Sequence, residues 1–199
     1  MTPRLFPLTL CWLLMALTLA LGLGLRPAPA AAENVEIIQA HLEPAEEGYK
    51  LSSTFSFELN RGLEDALARG FSLYFTTDVQ ITRRRWYWFD ETTQTSAQTT
   101  RISYDLLARR YNAAIYQPSS TGRLQQNFQT LDDALSLVRR PSRWIVAERS
   151  ALKPGETYLV GVRMRLDLAQ LSKPFQVHAL NNADWRLSSD WKYFNYKAE

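Results

Sequence analysis

Apolar and polar residues alternate along several stretches of the chain, a pattern typical of β-strands that are buried on one face. In residues 157–168 every second side chain is apolar, and those between, including Arg163 and Arg165, are mostly polar. Residues 50–60 and 71–75 repeat this alternation. Shorter strands are predicted at residues 35–40, 79–89, 100–106, 110–116, 143–148 and 185–191.

Two segments depart from the alternation and predict helices. Residues 130–141 have Thr130 as a candidate N-cap and stop at Pro141. Asn60 and Gly70 mark the ends of a second, shorter helix. The pattern therefore predicts a mainly β fold, an antiparallel β-sandwich that is immunoglobulin-like or related, with two short helices in its connections.

The first 32 residues have the features of a secretory signal peptide. Arg4 precedes an apolar run, and small residues up to Ala32 follow it. We expect cleavage before Glu33, which leaves residues 33–199 as a single periplasmic domain with no linker or repeat. The alternative is an uncleaved membrane anchor, because the apolar run of about 18 residues approaches the length that spans a bilayer.

Cleavage would change the charge and the cysteine content. The chain has 23 basic and 20 acidic residues and a net charge of +3, and the segment contains Arg4 and Arg26 but no acidic residue. The remaining charge of +1 lacks the basic excess of a nucleic-acid-binding domain. The single cysteine, Cys11, also lies in this segment, so the domain has no disulfide, thiolate metal site or cysteine nucleophile.

The motifs of common catalytic and metal sites are missing from the sequence. It contains neither a Gly-x-Ser-x-Gly elbow nor a His-Glu-x-x-His motif. The two histidines are His41 and His178, and alternation over residues 175–180 makes the latter an ordinary strand residue. Acidic pairs such as Asp132-Asp133 fit turns and helix starts better than acid–base catalysis. We therefore predict no catalytic residue, no metal and no cofactor.

A cluster of arginine and aromatic residues is the strongest candidate binding site. The segment from residue 82 to residue 90 contains three consecutive arginines followed by four aromatic residues. Such side chains can hold anionic or sugar-like ligands, or form a protein interface. The competing interpretation is a strand whose aromatic residues fill the core beneath the arginines. The candidate binding residues are Arg83, Arg84, Arg85, Trp86 and Trp88.

The C-terminal residues are also rich in aromatic side chains. The interpretation favoured by the sequence is a closing strand, with a tryptophan at one end of the sandwich. The alternative is that residues 191–196 form an exposed aromatic tail that contacts a membrane surface or a partner.

The chain resembles the proteobacterial domain-of-unknown-function family 4390. The most specific part of the resemblance is Arg84-Arg85-Trp86-Tyr87-Trp88, and further parts are Leu73-Tyr74-Phe75, Ile102-Ser103-Tyr104-Asp105 and Asp184-Trp185. The resemblance implies an exported Gram-negative protein of unassigned activity. It also implies a gene that often lies near one for a nitrogen-type two-component sensor kinase. No catalytic residue can be transferred from this family.

These observations favour a non-enzymatic periplasmic binding or interaction module. Its expected partner is an envelope protein, with the sensor domain of a membrane kinase as the suspected one. The alternative function is an envelope hydrolase that acts on glycan or another anionic substrate through scattered carboxylates.

We predict that the N-terminal segment is removed on export. Mass spectrometry of the protein isolated from the envelope should then find Glu33 as the first residue. An intact N-terminus at Met1 would show instead that the segment stays as an anchor.

Overall fold

Nine β-strands make up most of the part of the chain that the computed structural model describes. The described residues are 35–83, 91–117, 124–141, 144–171, 173–180 and 182–199. The strands are β1 (Glu36–Ala45), β2 (Gly48–Ser56), β3 (Leu73–Arg83), β4 (Glu91–Asp105), β5 (Arg110–Tyr116), β6 (Leu124–Phe128), β7 (Trp144–Glu148), β8 (Thr157–Leu166) and β9 (Lys192–Lys197). The helices are α1 (Arg61–Ala68), α2 (Leu131–Arg139) and α3 (Lys173–Leu180), and short 3-10 turns lie at Arg149–Ala151, Leu168–Gln170 and Ala183–Trp185.

The strands form two antiparallel sheets around one core. One sheet has the order β1-β2-β7 and the other has the order β6-β5-β4-β3-β8-β9. Apolar side chains of both sheets belong to the same buried cluster, which confirms the predicted mainly β, sandwich-like fold. Residues 32–199 are one compact unit, and none of its described helices is long and apolar enough to cross a membrane.

The two clearest alternating segments have the predicted orientation. In β2, Leu51 and Phe55 are each only 2% exposed. In β8, the side chains from Tyr158 to Met164 that face inward are at most 1% exposed. The residues between them in β8, including Arg163 and Arg165, lie on the outer face of the six-stranded sheet. Period-two alternation therefore identifies both the core and its solvent-facing side.

Both predicted helices are present with the predicted caps. In α1 the backbone N–H of Leu63 donates to the Asn60 side chain at 2.9 Å. In α2 the backbone N–H of Asp133 donates to the Thr130 hydroxyl at 3.2 Å, and that hydroxyl donates to the Asp133 carboxylate at 2.6 Å. These bonds satisfy backbone donors that the first turn of a helix leaves unpaired.

The C-terminal strand prediction is wrong in position. The predicted strand at residues 185–191 is an irregular segment, and β9 begins only at Lys192. The segment pairs with the end of β8 only through an isolated antiparallel bridge between Arg165 and Ser188. Leu166 donates its N–H to the Leu187 carbonyl and Ser189 donates to the Met164 carbonyl, each at 2.8 Å. These bonds lie beyond Val162, the last residue of β8 that pairs with β9.

Other differences concern polar or short segments. Residues 175–180, predicted as a strand, belong to α3, because a short apolar alternation does not distinguish strand from helix. The first half of β4 and all of β6 are strands that the polar sequence did not predict. The predicted strands at 71–75 and 79–89 are one strand in the described region, β3, which begins at Leu73.

We predict that Gly48→Ala destabilises the protein by about 3 kcal/mol, because Gly48 has φ 152° and an added Cβ would lie 2.2 Å from the Ala147 carbonyl oxygen. The matched control is Gly155→Ala. Gly155 also has positive φ, at 82°, but an added Cβ meets no atom within 4 Å, so its cost should be about 1 kcal/mol. Urea unfolding measures both costs, and equal costs would contradict the backbone contact.

Candidate functional site

A cluster of charged side chains lies on the outer face of the six-stranded sheet where β3 and β8 pair. The register of these antiparallel strands places Asp78 opposite Arg163 and Thr76 opposite Arg165. Directly opposite residues project to the same face of a sheet. The pairing therefore brings together side chains that are 85 or more residues apart in the sequence.

Asp78 holds both arginines through one carboxylate oxygen. Arg163 Nη2 donates to Asp78 Oδ2 at 2.9 Å, and Arg165 Nε donates to the same oxygen at 3.0 Å. The Asp78 side chain is 19% exposed, and the two arginine side chains are 34% and 33% exposed. The carboxylate thus lies beneath two guanidinium groups that solvent reaches.

A second carboxylate extends this network along β8. Arg165 Nη1 lies 2.9 Å from Asp167 Oδ1, and that oxygen also accepts the backbone N–H of Ala169 at 3.2 Å. Burial acts to lower the pKa of Arg165, but hydrogen bonds to Asp167 and Asp78 outweigh burial and raise the pKa above its usual range. The Arg165 guanidinium therefore stays charged and is held in one orientation.

Aromatic rings cover the other end of the network. The Arg163 guanidinium carbon lies 4.6 Å from the centre of the Trp191 ring, which is cation–π geometry. Trp191 in turn stacks with Tyr193, with ring centres 6.1 Å apart and an interplanar angle of 24°. Tyr193 is 54% exposed. The two rings form a platform beside the arginines.

A glycine in β8 makes room for this platform. Gly161 lies opposite Tyr193 in the pairing of β8 with β9. A Cβ added to Gly161 would lie 2.7 Å from Tyr193 Cε1 and 3.2 Å from Trp191 Cε3, which is closer than side chains pack. The absence of a side chain therefore allows both rings to lie close to the strand.

Two clefts flank the charged and aromatic residues. One has a volume of about 470 Å³ and extends toward Trp185 and Ser189. The other has a volume of about 430 Å³ and extends over β3 and β4. Both are lined by Arg163, Arg165 and Trp191. We call Asp78, Arg163, Arg165, Trp191 and Tyr193 the outer-face site.

Of the five residues predicted as a site, only Arg83 belongs to the part of the chain that the structure describes. Arg83, at the end of β3, lies opposite Tyr158 and therefore on the core-facing side of the sheet, away from the outer-face site. In β3 it shares this face with Val79 and Ile81. The other four predicted residues, Arg84, Arg85, Trp86 and Trp88, lie outside the described residues.

Sequence reasoning missed the outer-face site although part of its signal was present. Alternation in β8 places Gly161, Arg163 and Arg165 on the polar face, and Trp191 stands out by its type. The missing information was strand pairing, because Asp78 meets the arginines only through the register of β3 with β8.

Histidine and acidic side chains are the other residues considered for catalysis or metal binding. His41 Nε2 lies 2.8 Å from Glu43 Oε1, and the two side chains are 43% and 53% exposed. In the part of the chain that the structure describes, no group of three or more His, Cys, Asp or Glu side chains is arranged to hold a metal ion.

Comparison with known proteins identifies a family. A family model described as a domain of unknown function, DUF4390, matches residues 32–195. No curated protein and no solved structure matches the chain. The matched region includes all five residues of the outer-face site.

We predict that Asp78→Asn destabilises the protein by about 2 kcal/mol, because it leaves two partly buried guanidinium groups without their shared carboxylate. Asp132→Asn is the matched control. It removes the charge of a carboxylate that is paired with Arg139 but is 82% exposed, so its cost should stay below about 1 kcal/mol. Urea unfolding at neutral pH compares the two, and an equal or smaller cost for Asp78→Asn would show that the network is not structural.

Proposed function

The chain belongs to the DUF4390 family, and from this premise we propose that it is a non-enzymatic binding module of the periplasm that contacts an envelope protein through the outer-face site. The observation that carries the proposal is that Arg163, Arg165 and Trp191 line two open clefts, while the exposed Tyr193 stacks on Trp191.

The composition of the outer-face site supports protein binding. Trp, Tyr and Arg are the residue types that contribute most often to the binding energy of protein interfaces. The Tyr193 ring is more than half exposed, and both arginines keep about a third of their side-chain surface in solvent. Since the network and the stacked rings hold these groups in place before binding, little side-chain entropy is lost when a partner docks.

The arrangement of carboxylates supports binding over hydrolysis at this place. A glycan hydrolase needs two carboxyl groups that face a substrate from opposite sides. Here both Asp78 and Asp167 hydrogen-bond to the guanidinium of Arg165 instead. The hydrolase alternative therefore has no supporting observation at the outer-face site.

The periplasmic location and the identity of the partner rest on the sequence. The first 32 residues have the pattern of a signal peptide, and the rest has a net charge of +1, which suits neither a nucleic acid nor a strongly anionic surface. The resemblance that places related genes near a two-component sensor kinase supports the exported domain of a membrane kinase as the partner. The exposed Tyr193 also allows a peripheral contact with the membrane.

We predict that the protein, tagged after Glu199 and crosslinked in intact envelopes, recovers one envelope protein reproducibly. Trp191→Ala and Tyr193→Ala should lower this recovery by about tenfold or more, because truncating a central aromatic residue typically costs an interface 2 kcal/mol or more. The matched control is Leu107→Ala, which removes an apolar side chain that is 98% exposed in the turn between β4 and β5.

Two results would contradict the proposed function. The first is that the wild-type chain recovers no envelope protein. The second is that both aromatic variants recover the partner as well as the Leu107→Ala control does. Far-UV circular dichroism and urea unfolding of each variant exclude loss of folding as the cause of any decrease.

A further inference from the structure

The outermost strands of the two sheets differ in how their free edges are protected. Natural sheets blunt such edges with lysines, bulges or covering elements, because unpaired backbone groups pair readily with another chain. Next to β1, which has a bulge after Ile37, Lys192 Nζ donates to the Ile37 and Ile38 carbonyls at 2.6 and 3.0 Å. Strand β9 has lysines at both ends, Lys192 and Lys197, and β7 contains the fully buried Trp144.

Among the described residues, strand β6 contains neither a lysine nor a bulge that would protect its edge. In the described part of the chain it pairs with β5 alone, and its five residues, Leu-Gln-Gln-Asn-Phe, include no charged residue and no proline. Four of them are exposed, and Leu124 is an apolar side chain with 62% of its surface in solvent. A five-residue strand of this kind is long enough to pair with another strand.

The sequence of β6 is complementary to itself in one antiparallel register. If Gln126 lies opposite Gln126 of a second copy, Leu124 lies opposite Phe128 and Gln125 lies opposite Asn127. Apolar residues then meet apolar residues on one face, amides meet amides, and no like charges are opposed. A shift of one residue would place the polar side of one strand against the apolar side of the other.

From this self-complementarity we propose that β6 is the docking edge for a second copy of this chain, in an antiparallel pair with its two-fold axis at Gln126. The axis stands perpendicular to the sheet, so two six-stranded sheets become one continuous sheet. Pairing would cover the exposed Leu124 side chain with the partner's Phe128.

The dimer leaves the outer-face site accessible. In the six-stranded sheet β5 and β4 separate β6 from β3, and β8 lies beyond β3. A two-fold axis perpendicular to the sheet keeps the same face outward in both copies, so both outer-face sites lie on one side of the joined sheet. Two sites on one side can engage two copies of a partner and thereby strengthen a weak contact.

The affinity of the pair should be low. One pair of five-residue strands buries less than the roughly 1,200 Å² that specific stable interfaces need. We therefore expect a reversible dimer that forms at tens of micromolar and dissociates on dilution.

Sedimentation velocity across a range of concentrations tests this proposal with the protein purified from cells that express the full chain. The wild-type protein should shift from monomer to dimer as concentration rises. Gln126→Lys should weaken the dimer by about tenfold or more, because the two-fold axis places two like charges opposite each other. Gln126→Glu should have the same effect.

Mixing the two variants tests the register itself. An equimolar mixture of Gln126→Lys and Gln126→Glu should recover dimer, since opposite charges then meet across the axis. Gln125→Lys is the control for an added edge charge, because position 125 faces Asn127 of the second copy and should leave the dimer near its wild-type affinity.

Three results would overturn the proposal. The first is a wild-type chain that stays monomeric at about 100 µM, well above the expected dissociation constant. The second is a dimer that the Gln126 variants do not weaken. The third is a charge-swapped mixture that forms no more dimer than either variant alone. Capture of an envelope protein by the monomer would still support the outer-face site, so the two proposals can fail separately.

Discussion

The burial of one face of β8 is the constraint on which the rest of the structure depends. Tyr158, Val160, Val162 and Met164 face the core with at most 1% exposure. Burying each such side chain contributes on the order of 2 kcal/mol. Because successive side chains of a strand point to opposite faces, this burial forces Arg163 and the other residues between them outward. A slip by one residue would bury two guanidinium groups, so the register of β8 is strongly specified.

Asp78 fixes the positions of the two arginines that β8 directs outward. Without a carboxylate between them, two arginines on adjacent positions of one strand face would repel each other and remain mobile. With it, both guanidinium groups bond to one oxygen, and Arg163 is positioned against Trp191. Gly161 completes the arrangement, because only a residue without a side chain lets Tyr193 lie across the strand. The structure of the outer-face site thus follows from local steric and electrostatic requirements.

The sequence predicts those parts of the fold in which local pattern decides the structure. The orientation of β2 and β8 and the caps at Asn60 and Thr130 follow from alternation and from short-range hydrogen bonding. The first half of β4 and all of β6 escape prediction because they are polar; Gln98, on the inner face of β4, is only 2% exposed. Such a strand is stabilised by the strands it pairs with, and a single sequence does not reveal which strands these are.

The same reason explains why the candidate site could not be predicted. The sequence draws attention to residues 83–88, where arginine and aromatic residues are adjacent, whereas the outer-face site is assembled from β3, β8, β9 and the residue before β9. Its components become neighbours only through antiparallel pairing over 85 residues. Alternation identifies the outer face of a strand, but which side chains meet on that face follows only from the pairing of the strands.

The central claim is that the outer-face site meets an envelope protein. Replacing Tyr193 with a photo-reactive benzophenone amino acid, in living cells, places the crosslinker at the exposed centre of this site. The account predicts a light-dependent crosslink from position 193 to one envelope protein and none from the same amino acid at the fully exposed position 107. Crosslinking to that protein from position 107 but not from position 193 would contradict it.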